Sequence, residues 1–287
     1  MKRSFGRKFE VGAADGVGLA LHCIPASPPS ALEVIVTHGT FSNASLCFAL
    51  AHYLAAAGFR CWVLEWRGHG ESAAAPRQTT FDSVAGFDVP AALQEVFERA
   101  GRRPVFWIGH SGGGLIAAMW AARNPALAQT RLRGLLMLGS QASLAGTRPQ
   151  NRMVIRLIDF LISATRSAPG HFLGMGPEPE SPNLMRQWCR WNLEGRFCGE
   201  DGFDYQAGLR EVGIPVFALS GAGDTFIAPS IGCRQLAHAF GGKDVTFRKC
   251  GIATGFEEDY THERLILSKP ASREIWPMLA CWMKERL

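Results

Sequence analysis

Apolar and polar positions along the chain form an alternating series of short apolar runs and longer amphipathic segments. The runs at 34–37 and 105–108 are continuously apolar or β-branched, which is typical of strands buried on both faces of a parallel sheet. The longer segments between such runs carry apolar residues at helical spacing. Strands that alternate with helices predict a parallel sheet with helices on both faces.

The predicted elements can be followed from one end of the chain to the other. Two short strands, at about 8–13 and 18–24, are separated by the turn signal Asp15-Gly16. Further strands are predicted at 34–37, 60–65, 105–108, 132–138, 215–219 and 245–250, and helices at about 44–57, 81–100, 112–123, 229–240 and 271–286. The fold class is therefore predicted to be α/β, with a mostly parallel eight-stranded sheet.

The alternation breaks after the strand predicted at 132–138. Residues 145–207 hold an amphipathic helix candidate, a loop rich in proline and glycine, and a cluster of aromatic residues; the helix has Met153, Val154, Leu157, Ile158 and Leu161 at its apolar positions. We interpret this region as a cap inserted over the carboxyl ends of the strands, where such sheets bind ligands. The predicted core is then made of residues 1–144 and 208–287.

The composition limits the kinds of molecule that the protein is expected to bind. The 287 residues are 47% hydrophobic and 19% charged, with a net charge of +5, which is typical of a globular protein. Basic residues are scattered rather than gathered in a dense run, which argues against nucleic-acid binding. We expect a small-molecule partner and no nucleic acid, and the composition leaves a homodimer open.

Eight cysteines occur without a C-x-x-C pair, and most lie in apolar segments. This pattern argues against a zinc site and favours buried, reduced thiols. The basic residues 1–8 are not followed by the apolar stretch of a signal peptide, and the longest apolar runs are too short for a transmembrane segment. From these patterns we expect a cytoplasmic protein.

The strongest candidate chemistry is the turn Gly109-His110-Ser111-Gly112-Gly113. It fits the pattern G-x-S-x-G, between a predicted strand and a predicted helix. A sharp turn of this kind presents the serine above the sheet, and the small residues two before and two after it allow close packing. The positive end of the following helix favours negative charge nearby. Ser111 is either a nucleophile or a helix N-cap in a glycine-rich turn, and this motif alone does not decide.

Three motifs together resemble those of the α/β-hydrolase superfamily. They are H-G-T at 38–40, W-R-G-H-G-E-S at 66–72 and G-H-S-G-G at 109–113, and the similarity spans most of the chain outside 145–207. Within the superfamily, the chain resembles the small serine hydrolases related to monoacylglycerol lipase and lysophospholipase. Haloalkane dehalogenases and epoxide hydrolases carry aspartate where this chain has Ser111.

The resemblance implies a catalytic triad in the chain order serine, acid, histidine. Three histidines follow Ser111: His171 lies in the insertion, His238 in a predicted helix, and His262 in the loop after the last strand. The family places its base in that last loop, so His262 is the predicted general base. The alternative is a histidine of a surface loop.

The acid is expected in the loop after the strand at 215–219. Asp224 lies there, in a segment that matches the family pattern G-x-x-D followed by proline. A turn aspartate without a catalytic role is the alternative. Glu257, Glu258 and Asp259 are rivals that lie near His262 in sequence, and Asp259 could be a secondary partner. Some relatives place the acid after the preceding strand, where residues 139–141 of this chain are Gly-Ser-Gln.

The resemblance also points to an oxyanion hole and a substrate pocket. The backbone N–H groups of Gly112 and Thr40 are the expected oxyanion donors. His110 is expected to line the floor of the site, while His38, Arg67 and His69 are interpreted as residues that hold the turns. The predicted substrate-binding residues are His110, Phe41, Trp188 and Trp191. The insertion supplies further apolar side chains, which otherwise form its own core: Phe172, Leu173, Met175, Met185 and Phe197.

These motifs predict a serine hydrolase that cleaves carboxylic esters of hydrophobic acyl groups through an acyl-enzyme. A thioesterase, lactonase or amide hydrolase with the same triad remains open, and so does a binding protein that has lost catalysis. The predicted mechanism needs no metal and no organic cofactor.

Overall fold

The structure, a computed structural model, describes residues 6–27, 32–170 and 175–287. The strands are β1 Arg7–Gly12, β2 Gly18–Ile24, β3 Glu33–Thr37, β4 Arg60–Leu64, β5 Val105–His110, β6 Leu132–Leu138, β7 Ala168–Pro169, β8 Pro179–Glu180, β9 Val216–Gly221 and β10 Val245–Cys250. The helices are α1 Ser45–Ala56, α2 Phe81–Ser83, α3 Val89–Arg99, α4 Gly112–Arg123, α5 Pro125–Arg131, α6 Pro149–Thr165, α7 Pro182–Glu194, α8 Tyr205–Leu209, α9 Ser230–Ala237, α10 Arg264–Leu267 and α11 Lys269–Lys284.

Eight strands form one sheet in the order β1-β2-β4-β3-β5-β6-β9-β10. Strand β2 pairs antiparallel with both of its neighbours, and every other pairing in this sheet is parallel. The prediction of a mostly parallel eight-stranded sheet is confirmed. Parallel strands end at the same edge, so the loops after β3, β5, β9 and β10 meet above that edge.

Helices cover the sheet on both faces because side chains alternate between the faces along each strand. In β3, Val34 and Val36 join a buried cluster with residues of α1 and α11. Ile35, between them, joins the cluster formed with α3 and α4 on the other face. All three side chains are fully buried, as the continuous apolar run predicts.

The helix predicted at 81–100 is interrupted by a π-helical turn, Val84–Asp88. Within this turn the N–H of Val89 bonds to the carbonyl of Val84, five residues earlier. Pro90 follows at the start of α3 and lacks the N–H that would bond to the carbonyl of Gly86 in a continuous α-helix. The wider turn accommodates that missing donor.

Helix α5 was absent from the sequence-based prediction. Asn124 leaves the helical region of backbone space at φ −135°, ψ 55°, and Pro125 then starts a new helix. Proline suits the first turn of a helix because that turn leaves its N–H groups unpaired. The change of direction at Asn124 is what separates α5 from α4.

Residues 145–207 lie between β6 and β9 in the chain and contain α6, β7, β8, α7 and the start of α8. Helix α6 confirms the predicted amphipathic helix and extends it at both ends. It packs against α7, with Ile155 and Ile162 as its buried residues. Most apolar positions that indicated the helix lie on another side, exposed: Met153, Val154, Leu157 and Leu161.

The described residues contain no helix that is both long and apolar enough to cross a bilayer. All eight cysteines are free, and five of them are buried. The expectation of unpaired, mostly buried thiols therefore agrees with the structure.

Candidate active site

Ser111 lies between the fully buried strand β5 and the N-terminus of α4. Its backbone has φ 54° and ψ −122°, a region that residues with a side chain rarely adopt. The strain is held by neighbours on both sides of the residue: its N–H donates to the carbonyl of Leu138 at 2.8 Å, and its carbonyl accepts from the Ser140 hydroxyl at 2.7 Å. No side-chain capping bond is made by Ser111 to α4, so the N-cap role has no support in this geometry.

Close packing around the turn requires glycine two residues before and two after Ser111. A Cβ atom on Gly109 would lie 2.1 Å from the backbone of Gly113 and Gly114. One on Gly113 would lie 2.4 Å from the carbonyl oxygen of His38. The strand, the turn and the loop after β3 could not approach one another with larger residues at these positions.

Asp224 and His262 meet although they lie in different loops. Oδ2 of Asp224 lies 2.5 Å from Nδ1 of His262. Oδ1 accepts hydrogen bonds from the backbone N–H groups of Ile227 and Ala228, each at 3.0 Å. Because an ionised carboxylate only accepts hydrogen bonds, the ring proton of His262 belongs on Nδ1, which leaves Nε2 as its basic atom.

The Asp224 carboxyl is ionised in this setting. The residue is 6% exposed, and burial by itself raises the pKa of its carboxyl. The hydrogen bond and the charge of His262, together with the N–H groups of Ala228 and Ile227, outweigh that effect and hold the pKa below its ordinary value. The carboxylate is thus available to orient His262.

The rival acids are engaged elsewhere. Glu257 and Glu258 pair with Arg273 and Arg264 at 2.9 and 2.8 Å. Asp259 accepts the backbone N–H of Ile252 at 3.0 Å. Within the described residues, Asp224 is the one carboxylate with a hydrogen bond to His262.

His110 holds the loop that carries His262. Its Nε2 atom lies 2.9 Å from the carbonyl oxygen of His262, while its buried Nδ1 has no hydrogen-bond partner among the described residues. Burial, and then the repulsion between the two rings when both are protonated, lower the pKa of His110 to about 3. His110 is therefore a neutral ring that donates from Nε2, and it borders the cleft beside Ser111.

His38 is a second neutral ring, below the loop after β3. Its Nδ1 lies 2.8 Å from the carbonyl oxygen of Gly39, and its Nε2 lies 3.3 Å from the backbone N–H of Trp66. A ring that donates at one nitrogen and accepts at the other must be neutral. Burial, helped by the charge of His69, accordingly lowers the pKa of His38 to about 3. Gly39 and Trp66 lie in the loops after β3 and β4, so His38 connects these two loops, as expected.

The loop after β3 is also tied to the insertion. Phe41 has a backbone φ of 61°; its N–H donates to Oε2 of Glu180 at 3.4 Å, and its carbonyl accepts from the N–H of Glu178 at 3.0 Å. Asn43 donates to the Glu178 carboxylate at 2.6 Å. The segment around β8 thus fixes the backbone next to Thr40. The sequence motifs did not indicate Glu180.

Glu180 also forms a buried ion pair. Its Oε2 lies 3.2 Å from Nε2 of His69, and both side chains are almost inaccessible to solvent. Burial lowers the pKa of His69, but the charge of Glu180, the hydrogen bond to Glu180 and the carbonyl of Arg67 together outweigh it, so the pKa is raised above its ordinary value. The His69–Glu180 pair therefore connects the turn after β4 to residues 145–207.

The two expected oxyanion donors border the cavities beside Ser111. Thr40 borders the outer cleft and the inner pocket, and Gly112 borders the inner pocket. The Thr40 N–H makes no hydrogen bond to any other described residue. The Gly112 N–H opens α4, where first-turn amides have no acceptor within the helix. Both groups are available to a bound oxygen.

Ser111 stands where two cavities meet. The outer cleft has a volume of about 470 Å³ and is bordered by His262, His110 and Phe41. The inner pocket is much smaller, at about 30 Å³. Its lining is mainly apolar: Phe81, Leu115, Met175, Met185, Trp188 and Ile227. Thr40, Met175 and Ile227 border both spaces.

The predicted aromatic residues of the insertion have different environments. Trp188 borders the inner pocket. Trp191 is 1% exposed and packs between the rings of Phe81 and Phe197 at 5.3 and 5.0 Å, and it borders neither cavity. It belongs to the large hydrophobic core, as Phe197 does. His171, Phe172 and Leu173 lie outside the described residues.

In the described ranges, no group of three histidine, cysteine, aspartate or glutamate side chains is arranged to hold a metal ion. His262 and Asp224 use their facing atoms on each other. Ser111 and His262 border the same cleft, and His262 is hydrogen-bonded to Asp224.

Parts of the chain are similar in sequence to known proteins. Residues 28–169, just under half of the chain, match the family model described as serine aminopeptidase, S33. That range includes Ser111 and ends before Asp224 and His262. The chain is also similar to mouse gastric triacylglycerol lipase, with 25% identity over 221 residues that cover 68% of this chain and 55% of the lipase. The chain thus spans about half the length of the curated relatives it matches.

Solved structures share the whole fold. An esterase from Thermogutta terrifontis superposes with a TM-score of 0.68 at 17% identity, covering 98% of this chain and 99% of the esterase. A monoacylglycerol lipase from Paleococcus ferrophilus superposes with a TM-score of 0.67 at 18% identity, covering 94% of this chain and 99% of the lipase. At such identities the likeness establishes the fold, and the fold alone.

Proposed function

We propose that this chain, an α/β-hydrolase similar to esterases and lipases, hydrolyses carboxylic esters of hydrophobic acyl groups with Ser111 as nucleophile. One observation carries the proposal: His262, hydrogen-bonded to the ionised Asp224, borders the same cleft as Ser111. A serine hydroxyl needs an adjacent base, and the base needs an orienting group. These three side chains meet both requirements.

In the first half-reaction, Oγ of Ser111 attacks the ester carbonyl carbon while its proton passes to Nε2 of His262. The tetrahedral intermediate carries its negative charge on the former carbonyl oxygen. Collapse of the intermediate breaks the bond to the alcohol oxygen, which takes the proton from Nε2. The products of this step are the free alcohol and an ester between the acyl group and Ser111. Asp224 stays ionised and holds the imidazolium in place.

In the second half-reaction, a water molecule repeats the attack on the acyl-enzyme. Nε2 of His262 takes the proton from water and returns a proton to Oγ of Ser111 as the acyl group leaves. The carboxylic acid is released and the enzyme is restored. In this scheme His262 transfers every proton. No step of the proposed reaction involves a metal or an organic cofactor.

The oxyanion in both half-reactions is assigned to the N–H groups of Thr40 and Gly112. Preorganised donors of this kind stabilise the transition state more than the ground state, and each is worth roughly 10²- to 10³-fold in rate. The position of Thr40 depends on Phe41, whose backbone is held by Glu178 and Glu180. These two glutamates therefore act as positioning residues.

The apolar inner pocket suits the acyl group, and the open outer cleft suits the alcohol. Residues 145–207 are proposed to form a cap over the site, because Met175, Met185 and Trp188 from this region border the inner pocket. Similarity to a triacylglycerol lipase and a monoacylglycerol lipase supports lipid-like esters. Because the inner pocket is small, a long acyl chain would enter it only when the lining side chains move apart.

The proposal is tested with p-nitrophenyl esters of increasing acyl length, the matching acyl thioesters and an amide series. The native protein is compared with Ser111→Ala. Loss of ester hydrolysis in the variant supports the proposal. If the native protein cleaves thioesters or amides faster than esters, the proposed substrate class is wrong. Ester hydrolysis that survives unchanged in Ser111→Ala would exclude Ser111 as the nucleophile.

A further inference from the structure

One side of α6 presents large apolar side chains to solvent. Met153 and Phe160 are 69% and 67% exposed, and Val154, Leu157 and Leu161 are 44–56% exposed. We call these five residues the α6 surface. A few scattered apolar residues on a protein surface need no explanation, but five on one helix form a patch of the kind that binds a partner or a membrane.

The five residues form a continuous stripe. At about 100° of rotation per residue, they span an arc of about 120° around the helix axis. The buried residues Ile155 and Ile162 lie outside this arc and face α7. The helix therefore has two apolar sides, one that packs on the protein and one that does not.

Basic residues accompany the exposed stripe. Arg148 caps α6 and Arg166 ends it, while Arg152 and Arg156 follow one edge of the stripe. None of these four arginines forms an ion pair within the described residues. The acidic residue of the helix, Asp159, lies 3.5 Å from Arg186 of α7. Residues 145–207 carry equal numbers of arginines and acidic residues, but the structure gathers unpaired positive charge at α6.

We propose that the α6 surface binds the surface of a lipid bilayer or lipid aggregate that contains anionic headgroups. A helix with an exposed apolar stripe and arginines at its border lies in the headgroup region, where the stripe enters the acyl boundary and the guanidinium groups contact phosphates. Stripe and arginines contribute separately, so the interaction has an apolar and an electrostatic part that can be varied one at a time.

The charges favour this occupant over a second copy of the chain. Two α6 surfaces placed face to face would bring eight unpaired arginine side chains together, and like charges at that distance repel. An anionic lipid surface instead offers a negative charge to each arginine. Association through α6 in the absence of lipid is accordingly not expected.

The location of the surface connects it to the candidate active site. Helix α6 packs against α7, and Trp188 of α7 borders the inner pocket. A bound lipid surface therefore lies about one helix layer from that pocket. The use of this surface for delivery of lipid substrate depends on the proposed function, whereas the binding itself does not.

The test measures co-sedimentation of the full chain with phosphatidylcholine vesicles prepared with or without phosphatidylglycerol. Leu157→Glu places a charge in the stripe, and we expect the partition coefficient to fall roughly tenfold or more. Leu127→Glu is the matched control, because Leu127 lies on α5 and is 48% exposed, compared with 56% for Leu157. We expect no change for this control.

A second variant, with Arg152→Gln and Arg156→Gln together, isolates the electrostatic part. Each arginine near an anionic surface is worth roughly fivefold in binding, so the pair predicts a loss of roughly 25-fold on vesicles with phosphatidylglycerol. On pure phosphatidylcholine, this variant and the native protein should bind alike. Added salt should weaken only the binding to the anionic vesicles.

The outcomes also separate this proposal from the proposed function. Hydrolysis of a water-soluble p-nitrophenyl ester should be the same in the native protein and all three variants, which reports intact folding. Equal sedimentation of native protein and Leu157→Glu would overturn the proposal, as would no vesicle binding by an active native protein. Self-association in sedimentation velocity that Leu157→Glu abolishes would assign the surface to a second copy instead. Loss of ester hydrolysis in Ser111→Ala leaves the vesicle result unchanged.

Discussion

Nδ1 of His262 lies 2.5 Å from Oδ2 of Asp224. The two residues come from the loops after β10 and β9, neighbouring parallel strands whose carboxyl ends lie side by side. The second oxygen of Asp224 accepts two backbone N–H groups, so the carboxylate has little freedom to turn away. The orientation of His262 is therefore set by the sheet as well as by the loop.

Asp224→Asn should lower kcat for ester hydrolysis by roughly 10³- to 10⁴-fold, because an amide at this position favours the wrong tautomer of His262. The rates are measured with a soluble p-nitrophenyl ester at neutral pH. Asp259→Asn is the control: Asp259 accepts the N–H of Ile252, an asparagine oxygen can do the same, and activity should be retained. A decrease of less than tenfold in Asp224→Asn, or an equal decrease in both variants, would assign the orienting role elsewhere.

Glu180→Gln should destabilise the protein in a pH-dependent way. In the folded state the pKa of His69 is raised above its ordinary value of about 6.5. The ion pair therefore contributes fully below that ordinary value, and its contribution decreases as the pH rises through the folded pKa. The difference in free energy of unfolding between the native protein and Glu180→Gln should decrease by up to about 1.4 kcal/mol per pH unit in that window.

Urea titrations at several pH values above neutrality measure this difference. His69→Gln should remove the pH dependence contributed by the pair, which provides a second route to the same result. A constant difference across the pH series would mean that His69 and Glu180 do not interact as an ion pair.

Acid should destabilise the protein through its two buried neutral rings. The folded pKa values of His38 and His110 are about 3, well below the ordinary value, so the unfolded chain binds more protons between those values. Their contribution to stability is present above about pH 6.5 and is lost as the pH falls toward 3, at about 1.4 kcal/mol per pH unit for each ring.

The test compares the native protein with His110→Asn in denaturant titrations between about pH 6 and about pH 5, above the range in which ordinary carboxyl groups titrate. The variant should lose stability less steeply by about 1.4 kcal/mol per pH unit. Parallel pH profiles for the two proteins would show that His110 is not a buried neutral ring.

Met185→Ala should shift the acyl preference toward longer chains. Met185 borders the inner pocket, so removing most of its side chain lengthens the space for an acyl group. Leu184→Ala is a matched control in the same helix, since Leu184 is fully buried but borders neither cavity. Both substitutions should cost about 2–5 kcal/mol of stability.

The informative quantity is the ratio of kcat/KM for long and short p-nitrophenyl esters, because it cancels the amount of folded protein. This ratio should rise roughly tenfold in Met185→Ala and stay constant in Leu184→Ala. An unchanged ratio in Met185→Ala would place the acyl group in the outer cleft.

The elements of the sheet could be predicted from the sequence because their signals are local. The apolar run at 34–37 and the glycines around Ser111 constrain the backbone within a few residues. The interruption at Val84–Asp88 depends on Pro90. The spacing of apolar residues predicts one continuous helix there, because it does not register the missing N–H of a single proline. Asp224 and His262 could be chosen from motif order, and their roles remain predictions.

The contacts between distant segments could not be predicted in the same way. Glu180 and Phe41 are 139 residues apart, and no local pattern of either residue indicates the other. The apolar positions of α6 predicted a helix correctly, but periodicity cannot tell which of two apolar sides packs on the protein. That distinction depends on Ile155 and Ile162 meeting α7, which only the three-dimensional arrangement reveals.

The most direct test of the proposed chemistry is covalent labelling of the nucleophile. A fluorophosphonate reacts with an activated serine, and mass spectrometry of the intact protein followed by peptide mapping locates the adduct. We expect one adduct per chain, on Ser111, with ester hydrolysis lost in proportion to labelling and no adduct in Ser111→Ala. Full ester hydrolysis without an adduct on Ser111, or an adduct on another residue that abolishes activity, would contradict the assignment of Ser111 as the nucleophile.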